Sequence, residues 1–179
     1  MIDDLLHVKQ IAAVLFRERK ELDLALPDLE ALFSPVEHIG SFYPFVETNY
    51  YEAEMGENLQ RGIISFEQLI HPRTLVASKL ATKQLEDRLS SEGNRRVNID
   101  IGYLDLFKVV LASFKGRSNK IYLSESVWAD MICYFDEGSY KTFVWGFPDF
   151  KSGIYNEDLI KIRSNYKQQL KQLRKQRKG

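Results

Sequence analysis

The sequence predicts an α+β domain: a ferredoxin-like βαββαβ core, extended by further antiparallel strands and followed by a basic amphipathic helix. Three observations carry that reading. Strand-like and helix-like patterns alternate as β-α-β-β-α-β from Val8 to Tyr103. Short apolar runs separated by turn signals then continue to Trp145. Finally, Tyr155, Leu159, Ile162, Tyr166, Leu170 and Leu173 recur at intervals of three or four, the stripe of a helix with one buried face. The expected division is a single α+β domain over residues 1–153 and a basic helix with a frayed tail over 154–179.

Val8 to Phe16 is a mostly apolar, β-branched run and reads as a buried first strand. A helix follows from Arg19 to Phe33, with Pro27 breaking its register and starting its better half. Val36 to Phe45 reads as a strand interrupted by Gly40 and Pro44. Thr48 to Gly56 and Gln60 to Phe66 read as a third strand with its return. Pro72 sits at a helix start, and Leu75, Val76, Leu80, Leu85 and Leu89 keep helical spacing from Thr74 to Leu89. Strand-like runs follow at Val97–Tyr103, Phe107–Phe114, Lys120–Leu123, Val127–Phe135 and Lys141–Trp145; Val127–Phe135 also satisfies a helical reading. Gly116-Arg117-Ser118-Asn119 and Glu137-Gly138 have hairpin-turn chemistry. Asn156 is the expected N-cap of the last helix, with Glu157 and Asp158 in its first turn and Lys and Arg towards its end, as the helix dipole favours.

With 179 residues, 44% hydrophobic and 28% charged, the chain is long enough to bury a real core and too apolar for disorder. No apolar run reaches the roughly 20 residues of a membrane helix, so no membrane partner is expected. The acidic start Met1-Ile2-Asp3-Asp4 lacks a signal-peptide n-region, and the single Cys133 fits a reducing compartment; the expected location is cytoplasmic. The zero net charge conceals an asymmetry. Residues 161–178 hold eight Lys and Arg and no acid, leaving 17 basic and 25 acidic residues elsewhere, a balance of −8. Such a tail suits an anionic partner, nucleic acid or an acidic protein, or contact with its own acidic body.

Several chemistries are excluded. The chain has no Gly-x-x-x-x-Gly-Lys-Ser/Thr loop, no Gly-x-Gly-x-x-Gly turn and no Gly-x-Ser-x-Gly elbow. His7, His38 and His71 are scattered and cysteine pairs are absent, which argues against zinc.

What remains is charge on the predicted strand faces. A strand from Arg96 to Tyr103 points Arg96, Asn98 and Asp100 one way and Val97, Ile99 and Ile101 the other. The same alternation puts Tyr50, Glu52 and Glu54 together, and Gly56 and Gly102 end the two segments. Two such faces would floor a charged cleft. Carboxylates there would hold a divalent cation such as magnesium, with Glu54 and Asp100 as metal ligands, while Arg and Lys neutralise a phosphate. Lys79, Thr82 and Glu86 share a helical face, as a surface ion pair or as ligand contacts. Tyr50, Tyr51, Tyr103 and Tyr122 read as core aromatics with hydroxyls at the rim, Trp145 as a hydrophobic anchor and Asp149 as a cap.

Taken together, these segments resemble a bacterial family known as domain of unknown function four-four-one-six, over roughly Val8 to Phe150. The matching residues are Thr48, Tyr50, Tyr51, Glu54, Met55 and Gly56, then Ser65, Phe66 and Glu67, and on the helix Lys79, Thr82 and Glu86, with Lys83 replacing an Asn. Arg95, Val97, Asn98, Asp100, Gly102 and Tyr103 follow, with Ile101 replacing a Pro, and Ile121-Tyr122-Leu123 matches throughout. Trp145, Pro148 and Asp149 complete the set, while Gly146, Phe147 and Phe150 depart from it. The resemblance implies where a site lies and assigns no mechanism. The expected function is binding of a nucleotide or phosphorylated metabolite by Tyr50, Glu54, Arg61, Lys79, Glu86, Arg95, Asn98, Asp100 and Tyr103. The alternative is a non-enzymatic module that docks on nucleic acid or an acidic protein through residues 161–178.

Overall fold

The computed structural model describes residues 6–46, 49–117 and 119–176. Strand β1 (Val8–Phe16) leads into helix α1 (Arg19–Leu32), then β2 (Val36–Ile39) and β3 (Tyr43–Pro44). A 3-10 turn at Asn49–Tyr51 runs into the short helix α2 (Glu52–Met55), followed by β4 (Gln60–Ile70) and α3 (Leu75–Leu89). The remaining strands are β5 (Val97–Leu104), β6 (Lys108–Ser113), β7 (Ile121–Ser124), β8 (Val127–Asp136) and β9 (Ser139–Thr142). Helices α4 (Pro148–Lys151) and α5 (Asn156–Gln176) end the described chain. The protein is thus α+β, with one large antiparallel sheet and a long C-terminal helix. Among the described residues, the nine strands run β2-β4-β1-β5-β6-β8-β7, with β3 also on β4 and β9 also on β8.

The alternation along β1 sorts the core into two layers. Ala12, Val14 and Phe16 face α1 and α3, where they meet Leu22, Ala25, Leu29, Leu75 and Leu85. Ile11 and Ala13 face the opposite layer, with Phe150, Tyr155, Leu159, Ile162, Tyr166 and Leu170 of α4, α5 and their junction. β1 is buried along its whole length because it has a strand on each side and helices on both faces. The C-terminal helix is tied down by polar bonds as well. Tyr166 donates its hydroxyl proton to the His7 carbonyl at 2.6 Å, and Arg163 donates to the Leu106 carbonyl. Asn156 Oδ1 accepts the Tyr140 N–H at 2.9 Å, so it anchors the helix start to β9.

Several sequence expectations are corrected. The segment up to Gly56 is helical and not a strand, with Thr48 itself outside the described residues. Glu52-Ala53-Glu54-Met55 are good helix formers, with acids at the favourable end and Gly56 at φ 84° stopping the turn. Pro27 neither breaks α1 nor starts a second half. It is exposed, as is Asp23, whose carbonyl loses its partner, so that bond is lost on the side where water replaces it. Gly116 to Asn119, of which Ser118 lies outside the described residues, is no hairpin turn, because β6 and β7 both pair with β8. The hairpin between β7 and β8 turns instead at Glu125-Ser126, both at positive φ. Glu137-Gly138 does join the paired strands β8 and β9. Val127–Phe135 lies within strand β8. Tyr50 and Tyr122 are exposed, as is Trp145, which stacks on Phe143 with ring centroids 4.8 Å apart and so anchors no core.

Gly102 pairs with Leu111 where β5 meets β6. A Cβ there would stand 2.1 Å from the Val110 carbonyl oxygen. Gly102→Ala is expected to push β6 away and destabilise the fold by about 1–3 kcal/mol, the usual cost of overpacking, read as a lower midpoint in urea denaturation.

Candidate functional site

The site begins where the sheet opens. β5 pairs with β6 only through Gly102, Tyr103 and Leu104. Upstream, helix α3 fills the place of the missing strand. Ile99 donates its N–H to Glu86 Oε1 at 2.5 Å, and its carbonyl accepts from Lys79 Nζ at 3.2 Å. Two side chains seven residues apart on one helix therefore satisfy a buried strand edge. Thr82, between them, is fully buried and donates to the Lys79 carbonyl. The buried face of α3 is thus largely polar, and a surface Lys79–Glu86 pair is ruled out: both are buried and both bond to backbone. Burial pushes the Glu86 carboxyl up to about 7, although Lys79 and the Ile99 N–H pull the other way.

On the opposite face of the sheet lies a buried chain of charges. Arg61 on β4 and Asp100 on β5 are separated by β1, where Leu15 stands opposite Arg61 and Ala13 opposite Asp100. The small Ala13 side chain leaves room for the guanidinium to cross. Arg61 Nη2 donates to Asp100 Oδ2 at 2.8 Å and Nη1 to Asp149 Oδ2 at 3.0 Å. Tyr155 donates its hydroxyl proton to the same Asp149 oxygen at 2.9 Å. Asn98 donates to Asp100 Oδ2 at 3.2 Å and accepts from Arg95 Nη1 at 2.7 Å. Arg95 grips Glu54 with Nε to Oε1 and Nη2 to Oε2, both at 2.7 Å. That fork holds the Glu54 carboxyl below its usual range, chiefly through its hydrogen bonds, and raises Arg95 in turn. Burial alone would pull Arg61 down, but Asp100 and then Asp149 outweigh it. Tyr51 lies nearby, its phenol pushed up to about 12 by burial and then by Asp100.

The structure brings Glu54, Arg61, Lys79, Glu86, Arg95, Asn98 and Asp100 into one connected cluster, with Lys79 Nζ 3.6 Å from Asp100 Oδ1 and Arg95 Nη1 3.7 Å from Glu86 Oε2. Tyr50 stands at its rim, its ring beneath Lys115 Nζ at 3.5 Å. Tyr103 does not join it; its side chain packs against the core layer of α1 and α3. Asp149 proves to be a member and not a cap, and so a residue that sequence reasoning assigned wrongly. A second buried pair was missed altogether: Lys120 lies 3.2 Å from Asp130, and Phe147 sits between Arg61 and Lys120 with each cation 5.8 Å from its ring. As metal ligands Glu54 and Asp100 do not fit, because both already accept from guanidinium groups. Among the described residues no group of three or more His, Cys, Asp and Glu is placed to hold a metal.

The cluster reaches solvent at one end. A cleft of about 540 Å³ lies beside Glu54 and Arg95, lined also by Arg17, Lys20, Gly56 and Arg96. Arg17 and Lys20 share the exposed Glu18 outside it. Of the cleft's own three carboxylates, Glu54 is held by Arg95, Glu21 accepts the Arg17 and Glu18 N–H groups to cap α1, and Glu92 is exposed. Arg96 is exposed and pairs with no carboxylate among the described residues. The Arg17 side chain lies against Gly56, where a Cβ would stand 3.1 Å from Nη1.

Fold and site together define an α+β protein whose large antiparallel sheet carries a buried charge cluster opening into a basic cleft. The chain belongs to the family described as Domain of unknown function (DUF4416), which matches residues 6–166. No curated protein and no solved structure matches it. Among the described residues, no helix is long and apolar enough to cross a membrane.

Proposed function

We propose that this protein binds a small anionic ligand, a nucleotide or phosphorylated metabolite of the cytoplasm, in the cleft between the start of α1, the end of α2 and the approach to β5. The observation that carries this reading is the cleft's lining: Arg17, Lys20, Arg95 and Arg96 converge on it, while of its three carboxylates Glu54 and Glu21 are already bonded and only the exposed Glu92 is left to oppose them. A volume of about 540 Å³ suits a metabolite of that size. Arg95 is the inner wall, pre-oriented by Glu54 and Asn98; Arg96 and Lys20 supply the outer charge. Gly56, with no Cβ, leaves room for the Arg17 side chain to lie along the cleft wall. The residues that a strand-face reading would put on a ligand, Arg61, Lys79, Glu86 and Asp100, support the cleft from behind and assign it no reaction. The run β1-α1-β2-β4-α3-β5, with neighbours in the order β2-β4-β1-β5, supports a ferredoxin-like core that the later strands extend.

A thermal-shift screen tests the proposal, using inorganic phosphate, pyrophosphate, sugar phosphates and nucleotides, each with and without magnesium. A ligand at a hundredfold excess over its dissociation constant adds about 2.7 kcal/mol, which is roughly 5–10 °C in Tm for a chain of this size. Arg96→Glu is expected to abolish that shift without changing the Tm of the free protein, because Arg96 is exposed and pairs with no carboxylate among the described residues. No shift with any of these compounds, from folded protein, would overturn the reading.

A further inference from the structure

We infer that the outward face of α5 is a docking surface for the phosphate backbone of a nucleic acid, independently of the cleft. At about 100° per residue, Lys161, Lys167, Lys171 and Lys175 fall in one sector of roughly 120°, opposite the side that buries Leu159, Ile162, Tyr166 and Leu170. All four are exposed, and none pairs with a carboxylate among the described residues. Beyond Asp158 the helix carries no acid. Arg163, by contrast, is held against the body, its guanidinium 3.6 Å from the Phe135 ring. From Lys161 to Lys175 the ridge runs about 21 Å, the span of about six phosphates along one strand of a duplex.

The surroundings favour nucleic acid over other anionic partners. The apolar face of α5 is sealed against the sheet, so the helix has nothing to insert into a lipid surface. The residues between the lysines on the outward side, among them Ser164, Gln168 and Gln172, are polar, and no apolar anchor of the kind that dominates protein–protein interfaces stands on it. A ridge of mobile ammonium groups on a rigid support suits backbone contacts that position a nucleic acid without reading its bases. The rest of the chain carries a balance of −8, so its overall field favours the approach of a long polyanion from this side.

The test is fluorescence anisotropy of the full chain with a labelled duplex of about 20 base pairs and a single strand of similar length, at several salt concentrations. Four phosphate contacts predict a slope of log K against log salt of roughly −3 to −4. Lys167→Glu with Lys171→Glu and Lys175→Glu is expected to weaken binding more than tenfold and flatten the slope, with the Tm unchanged. Should that variant fold poorly, the three Lys→Gln changes take its place and are expected to lower the slope by two to three units, at roughly 0.9 per contact. Arg96→Glu is expected to leave binding unchanged, which separates this surface from the cleft. Either no binding at low salt, or equal binding by the reversed variant, would overturn the inference. So would preferential binding to poly-glutamate or to phosphatidylserine vesicles.

Discussion

Arg61→Met is expected to destabilise the protein by about 3–5 kcal/mol, the usual cost of removing one partner from a buried ionic group. Arg61 is 4% exposed and stands between Asp100 and Asp149, which belong to segments 49 residues apart in the chain. Without the guanidinium, two carboxylates are left near each other on one face of the sheet with only Asn98, Lys79 and Tyr155 to hold them. The methionine replaces most of the apolar stem, so the loss reports charge and not volume. A further outcome separates this mechanism from simple misfit. Adding Asp149→Asn to Arg61→Met is expected to restore much of the stability, because one of the two stranded charges is gone. Urea denaturation of the single and the double variant measures both effects. A loss below about 1 kcal/mol would mean that Arg61 is not what ties the α4–α5 junction to the sheet.

That network also shows what a single sequence can reveal. β1, α1 and α5 were legible because their apolar periods coincide with the faces they bury: β1 is buried throughout, and α5 buries Leu159, Ile162, Tyr166 and Leu170, as its spacing implies. Around α2 the period misled. Tyr50, Glu52 and Glu54 alternate as a strand would, yet four helix formers before a glycine were the better local signal. On α3 the apolar stripe was real but incomplete. Leu80 and Leu89 are only partly buried, whereas Lys79 and Glu86 are buried because the unpaired edge of β5 needs a donor and an acceptor, and Thr82 is buried between them. Nothing local to residues 75–89 announces that edge, since it exists only where β6 diverges. The charged members of the site were visible as polar residues among strand formers, but their pairings were not: Arg61 meets Asp149 from 88 residues away and Arg95 meets Glu54 from 41. Asp149 passed for a cap because its position beside Pro148 fits one, and only the tertiary fold shows its partner.

Glu86 offers the other large effect, and its sign is opposite to that of most paired carboxylates. Its folded-state pKa is raised from 4.5 to about 7, principally by burial. A raised value means that the fold prefers the protonated acid, so this group's contribution is fully present below about pH 4.5 and is lost as the pH rises through about 7. The full swing is on the order of 3 kcal/mol at 1.36 kcal/mol per pKa unit. Glu86→Gln keeps an oxygen to accept the Ile99 N–H and removes the titration. It is expected to match wild type near pH 5 and to exceed it by roughly 2 kcal/mol near pH 8, part of the gain being offset by weaker support for Lys79. Glu86→Leu separates charge from hydrogen bonding, since it leaves the Ile99 N–H buried without an acceptor and is expected to cost about 1–3 kcal/mol at both pH values. Urea midpoints for the three proteins at pH 5 and pH 8 decide the matter. If Glu86→Gln follows the wild-type pH dependence in parallel, the carboxylate is charged throughout, and Lys79 and Arg95 hold it as an ordinary ion pair. If the curves converge at pH 5 and separate at pH 8, the edge of β5 is closed by an acid that the fold holds best in its neutral form.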